Sequence, residues 1–228
     1  MKRKNTRFIL QKIAGLLAIV LISTFGITSW VSAEQKYYAK DGFYLGLTVP
    51  YNTIDGDFDG KTFEVGEEEI NIVPDIESNF GLGITLGGRF GKGAFELSYL
   101  RSSHDATWLG ANFDVDYNLV NLDGKYYFLA DKPMQPYLLL GLCLPWLVVK
   151  DGSANVDGDV DDATYTGIGL NVGGGIAYYF HPQVSINAGI VYRWIGYRHL
   201  SGVSESGSLD ETLNGSGLNY IVGMTFTF

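Results

Sequence analysis

GLNYIVGMTFTF, residues 217–228, decides how the rest of the chain is read. Taken in twos, Tyr220, Val222, Met224, Phe226 and Phe228 fall on one face. Asn219, Ile221, Gly223, Thr225 and Thr227 fall on the other. A β-strand has a side-chain period of two, so the stretch is a strand with one greasy face and one small or polar face. It runs to the last residue, Phe228, and the expectation is that this aromatic is buried at an interface and not left in water.

Seven earlier segments alternate in the same way: 42–51, 80–90, 94–102, a run within 113–128, 136–148, 165–180 and 184–196. In the fourth, the apolar phase shifts near Leu119 and Val120, which predicts a β-bulge. The connections hold 28, 3, 10, 7, 16 and 3 residues, with some nineteen or twenty before the last strand. A strict long–short order has no cause in a β-sandwich. It is the rule in a transmembrane β-barrel, which has short periplasmic turns and long outer loops. An even strand count also returns both chain ends to the same side.

The two faces agree with this. The faces opposite the greasy ones carry Gly81, Gly83, Thr85 and Gly87, then Gly167, Gly169, Asn171, Gly173 and Gly175. Small residues suit the cramped interior of a narrow barrel. Aromatics sort by strand end. Phe90, Phe95, Tyr126, Phe128, Tyr178, Phe180, Phe226 and Phe228 lie by short turns or the terminus, and Tyr51, Phe80, Tyr99, Trp146, Tyr165, Trp194 and Tyr220 lie toward long loops. Two membrane–water interfaces select two such rings. The fold class expected is therefore all-β, an eight-stranded antiparallel transmembrane β-barrel.

A basic start (Lys2, Arg3, Lys4, Arg7, Lys12), an apolar run and Val31-Ser32-Ala33 form a secretory signal peptide. Cleavage is expected after Ala33, giving a signal peptide at 1–33 and a barrel domain at 34–228. Once those five cations leave, eleven Lys and Arg remain against 25 Asp and Glu, a formal charge of −14. That balance excludes a nucleic-acid binder, which needs the opposite sign. Cys143 is the single cysteine, so no intramolecular disulfide forms. No later apolar run reaches the ~20 residues of a membrane-spanning helix.

With the order of GFYLGL, KYYF, PYLLLGLCL and GMTFTF in place, the chain resembles the small outer-membrane barrels of Gram-negative bacteria, the OmpA/OmpX-type domain, over Gly42–Phe228. The resemblance implies location in the cell outer membrane and contact with outer-membrane lipids and lipopolysaccharide. It also implies that the barrel-assembly machinery reads Tyr220, Val222, Met224, Phe226 and Phe228. Cys143 departs from the pattern by standing where a smaller inward residue is expected. No peptidoglycan-binding segment follows the barrel, so a wall-tethering role is not supported.

Inward-facing charges form the first candidate site: Arg89, Glu96, Asp123, Lys125 and Arg193. Arg89 and Glu96 are expected opposite each other across the 91–93 turn. A buried unpaired charge is costly, so the expectation is an ion-pair network that plugs the lumen. Asp55, Asp57, Asp59 and Glu67 partly match a calcium loop, although Gly66 holds its twelfth position. Asp157, Asp159 and Asp161 repeat the spacing without the glycine. His199 and Ser201, with Glu205 or Glu211, are similar to the lipid A deacylases, but His199 continues the inward parity of Arg193. Ser102–Asp105 (SSHD) is a second such cluster.

Taken together, the sequence predicts a non-enzymatic barrel with acidic surface loops, a mostly plugged lumen and no cofactor. The alternatives are a narrow passive pore and, further off, a lipid A-modifying hydrolase. Oligomeric state is not encoded in any of these signals.

Overall fold

The computed structural model describes residues 37–59, 62–65, 68–71, 73–108, 110–154, 160–201 and 207–228, and side chains at 37–59, 73–107, 110–151, 162–201 and 212–228. The expected signal peptide and the Ala33 cleavage point lie outside them. Among the described residues, eight long strands form a ring. They are β1 (Gly42–Asn52), β2 (Asn79–Phe90), β3 (Gly93–Trp108), β4 (Ala111–Tyr127), β5 (Met134–Ala154), β6 (Val160–His181), β7 (Val184–Ser201) and β8 (Gly217–Thr227). Each pairs antiparallel with the next, and β8 pairs with β1.

Register fixes the barrel's shape. From Gly42 the pairs run to Arg89, Ala94, Lys125, Leu139, Gly173, Val191 and Asn219, and return to β1 at Asn52, ten residues on. Eight strands with a stagger of ten tilt by about 40° and enclose a cylinder of radius about 8 Å at normal strand spacing. That leaves room for side chains and little else.

The outward face is apolar. Leu47, Leu82, Ile84, Leu140, Ile190 and Val222 are all exposed. Phe90, Phe95, Tyr126, Phe128, Tyr178, Phe180, Phe226 and Phe228 ring the end that holds the short turns, and Tyr51, Phe80, Tyr99, Trp194 and Tyr220 ring the other. Between Phe43 and Tyr51 the wall rises about 20 Å, close to the apolar band of outer-membrane barrels. This surface faces lipid. The membrane-spanning part of each strand ends at the second ring, and β3 to β7 continue past it on the extracellular side.

Three expectations are corrected. β4 has no bulge: its pairing with β3 and β5 is unbroken through Leu119 and Val120. The apolar phase shifts because Val115, Tyr117 and Leu119 pack inside the extracellular half of the lumen, whereas Val120 and Leu122 face outward lower down. Tyr165 is not in the girdle but in that same inner cluster. The outer loops at 103–112, 149–164 and 197–215 are largely strand, since β3, β5, β6 and β7 extend by hairpins whose outward faces turn polar, as at Arg101, Ser103, Asp105, Asp114 and Asp116. The greasy alternation disappears once a strand leaves lipid, and with it the sequence signal.

Candidate functional site

The site is the lumen, which side chains enter at three levels. At the periplasmic end, Arg89 lies with its guanidinium carbon 4.2 Å from the centre of the Tyr127 ring and 5.2 Å from that of Tyr179. It donates to Tyr179 Oη (2.7 Å), Gln135 Oε1 (2.6 Å) and the Gly91 carbonyl (3.1 Å). Gln135 in turn donates to the carbonyls of Ala130 and Lys132, which fixes the 128–133 turn. The segment 37–41 ties across the mouth through Tyr38 N–H to Ala130 O, Lys40 N–H to Pro182 O, and Asp41 Oδ1, which accepts from Gly91 N–H. Arg89 is not opposite Glu96: β2 and β3 pair Arg89 with Ala94 and Gly87 with Glu96. Its partners come from β5 and β6, across the lumen.

At mid-depth, Lys125 Nζ sits 2.8 Å from both oxygens of Glu96, and Tyr44 donates to Glu96 Oε1 at 2.6 Å. Asp123 lies directly across the β3–β4 ladder from Glu96, a like-charge pair. Its carboxylate instead accepts from Asn171 Nδ2 at 2.8 Å, two strands away. Asn171 also donates to Asn121, which donates to Ser98. Gly141 stands in the row between Asp123 and Asn171, and a Cβ there would collide with the Asp123 carboxylate. Gly87 likewise leaves space that the Tyr44 ring occupies.

Arg193 is 2% exposed, yet among the described residues its Nε and Nη1 have no hydrogen-bond partner. It lines a cavity of about 50 Å³ together with Glu96, Asp123, Lys125, Asn187 and Thr225. The volume holds several waters, and buried polar atoms of this kind are normally satisfied by water. Among the described residues, Thr48 and Asn171 each contribute a further unpartnered polar atom at this depth, and Asn52, Tyr197 and Asn219 do so toward the extracellular half.

The extracellular half is apolar and includes residues from the first outer connection. Phe58, in a 3-10 turn at Gly56–Phe58, is fully buried. Its ring meets Tyr165 and Tyr197 edge-on, at 5.6 and 5.2 Å between centroids. Ile54, Val73 and Ile76 join it against Leu100, Tyr117, Leu119, Leu147, Val149 and Ile195. Cys143 belongs to this cluster, packed beside Gly169. Phe58 was hidden from sequence reasoning because it sits in DGDFDG, which reads as a solvated acidic loop; an isolated aromatic there is the one signal that could have found it.

The calcium candidates do other work. Asp55 accepts from Thr53 Oγ1 and Asp57 from Asn214 N–H, while Asp59 bridges to Asp75 through the backbone. Among the described residues no three acidic, His or Cys side chains group to hold a metal. Glu67, Asp157, Asp159 and the Asp161 side chain lie outside them. The inward reading of His199 is also corrected. A register shift between Tyr197 and His199 turns it outward, and both His199 and Ser201 are exposed. Glu205 and the Glu211 side chain lie outside the described residues.

In SSHD, Ser102 Oγ and His104 Nε2 are 2.7 Å apart, and His104 Nδ1 lies 2.7 Å from the Glu77 carbonyl. That carbonyl can only accept, so Nδ1 carries the hydrogen and Ser102 donates to Nε2. The pair faces the lumen and is buried, with Ser102 3% and His104 2% exposed.

Outside the barrel, Asp116 gathers Arg101 (3.1 Å), Lys150 (3.4 Å) and Ser103 Oγ (2.9 Å). Burial raises its pKa, but the Ser103 hydrogen bond, Lys150 and Arg101 outweigh that and hold it below the usual value. The group stands above the stacked rings of Tyr99 and Trp146.

A closed antiparallel barrel with a lipid-facing belt, two aromatic rings and a side-chain-filled lumen defines an outer-membrane barrel protein. The chain belongs to the family described as the outer membrane protein beta-barrel domain, whose model matches residues 17–226, and it resides in the outer membrane. Among solved structures it is similar to the Neisserial surface protein A: 21% identity over 82% of this chain and 98% of that one, with a TM-score of 0.56. OprG from Pseudomonas aeruginosa matches at 17% identity over 83% and 97%, with a TM-score of 0.54. A major outer membrane protein from Thermus thermophilus matches at 13% identity over 82% and 99%, also with a TM-score of 0.54. No curated protein matches the chain.

Proposed function

We propose that the protein is a non-enzymatic barrel whose lumen is closed at rest and whose role lies at its outer surface. The observation that carries this reading is the three-level closure: the Arg89 stack, the Glu96–Lys125 network and the Phe58 plug. Burial of the Ser102–His104 pair supports the absence of hydrolysis there, since a substrate has no route to Ser102. The partner we assign to the outer surface is lipopolysaccharide, with Arg101 and Lys150 above Tyr99 and Trp146 as its phosphate contacts. The outward face of β8, with Tyr220, Val222, Met224, Phe226 and Phe228, is the surface we assign to the barrel-assembly machinery.

The test is solute uptake by proteoliposomes. The closed reading expects no more swelling in small sugars than protein-free vesicles show; uptake that scales with protein content sinks it. One observation favours the second reading, a narrow pore: the cavity at Arg193 is polar and roomy enough for water. For the hydrolase reading, an unchanged lipid A acyl pattern in cells with and without the protein is expected, and a lost chain would overturn the expectation.

A further inference from the structure

His104 stands where the first outer connection meets the barrel wall. Its Nδ1–H is bound to the Glu77 carbonyl, so it reaches the connection directly. A short strand pairing and two hydrogen bonds fasten the same stretch. Asp75 and Ile76 pair with Thr107 and Ala106, Glu77 N–H donates to Asp105 O, and Asn79 Nδ2 donates to Ser103 O. On its other side His104 accepts from Ser102, whose Oγ also accepts from Asn52 Nδ2 of β1. The Tyr117 ring stands edge-on at 6.0 Å. The imidazole thus links β1, β3 and the connection that carries Ile76, Val73, Ile54 and Phe58 into the lumen.

That arrangement uses the neutral ring. Both nitrogens are committed, one as donor and one as acceptor. Protonation at Nε2 turns the acceptor into a donor, so Ser102 must give up its donated bond. It also places a cation under apolar side chains, which is costly without a paired anion. The titratable neighbours are Tyr117 on β4, Asp105 on β3, and Asp75 and Glu77 of the connection. The three carboxylates are exposed, and none is bonded to the ring.

We propose that His104 is an acid-sensitive latch: proton uptake at Nε2 releases the 73–79 stretch from the wall and withdraws the apolar plug from the lumen. Energetics give the sign. His104 lies beyond the extracellular girdle, and burial lowers its pKa more than the Glu77 carbonyl and Asp105 raise it. The released form has the ordinary value, near 6.5, so it binds the proton first as pH falls. Between that value and the lower latched one, release takes up one proton, and its equilibrium constant rises about tenfold per pH unit. Above 6.5 it is flat.

The experiment is hydrogen exchange of residues 73–79 in the refolded full barrel, corrected for intrinsic rates, from pH 8 to pH 5. The expected result is constant protection above pH 7 and a loss of about tenfold per pH unit below about 6.5. Protection that does not change with pH in the wild type overturns the latch outright. His104→Gln should abolish the dependence; a dependence that survives it assigns the proton elsewhere and also overturns the latch. The double variant His181→Gln/His199→Gln removes the other two histidines and should keep the dependence; its loss there is a third refutation. The consequence for the lumen rests on the closed reading, but exchange reads the latch without conductance, so either can fail alone.

Discussion

The Glu96–Lys125 pair allows a sharp prediction. Lys125 Nζ is 2.8 Å from both carboxylate oxygens, and the side chains are 10% and 8% exposed. At an effective dielectric near 20, the attraction at that distance is about 6 kcal/mol, and desolvation of both charges offsets most of it. The pair therefore adds little net stability, but breaking it leaves one charge buried alone. Lys125→Met should cost about 3 kcal/mol or more, and Glu96→Gln a similar amount. The double variant should lie within about 1 kcal/mol of the wild type, since the removal of both charges is often neutral. Urea unfolding in lipid vesicles, followed by tryptophan fluorescence, measures all four proteins. A double variant that costs the sum of the singles would refute the reasoning, because the two residues would then act independently.

Further expectations follow from single contacts. Gly141→Ala should destabilise by about 1–3 kcal/mol by driving a methyl into the Asp123 carboxylate, whereas outward Gly124→Ala, which meets only ordinary contacts, should be neutral in the same unfolding assay. Phe58→Ala should cost about 3–5 kcal/mol in docking of the first connection, read as faster exchange at 73–79 and as new conductance. Asp116 has a lowered native pKa, so its contribution is present above the unfolded value of 3.8 and is lost as pH falls through the native one. The stability gap between wild type and Asp116→Asn should thus be constant above pH 5 and shrink below about 3.8.

What the sequence made legible is what lipid imposes. Every spanning strand must turn apolar residues outward at period two, so Leu45, Leu47 and Val49, or Leu138, Leu140 and Leu142, can be read without their neighbours. The lumen is different, because its contacts depend on stagger. Arg89 and Glu96 look adjacent along the hairpin, but Arg89 reaches Gln135 and Tyr179 across the lumen, and Glu96 takes Lys125 diagonally. Asp123 finds Asn171 only because Gly141 between them has no side chain. The false bulge at Leu119 has the same origin: an apolar residue inside the barrel looks like one outside it when the lumen itself changes from polar to apolar. His199 escaped its parity because a register shift after Tyr197 leaves no mark in residue type. Phe58 stayed unplaced because its acidic neighbours read as a solvated loop, and the lone aromatic among them was the one hint that it folds inward.

The measurement that tests the central claim most directly is single-channel conductance of the refolded barrel in a planar bilayer at neutral pH, beside Phe58→Ala. The account predicts a silent wild type and discrete openings in the variant, because Phe58 caps the lumen above the polar cavity at Arg193. Stable openings in the wild type, altered by Arg193→Gln or Lys125→Met, would contradict it and make the inner charges the lining of a working pore.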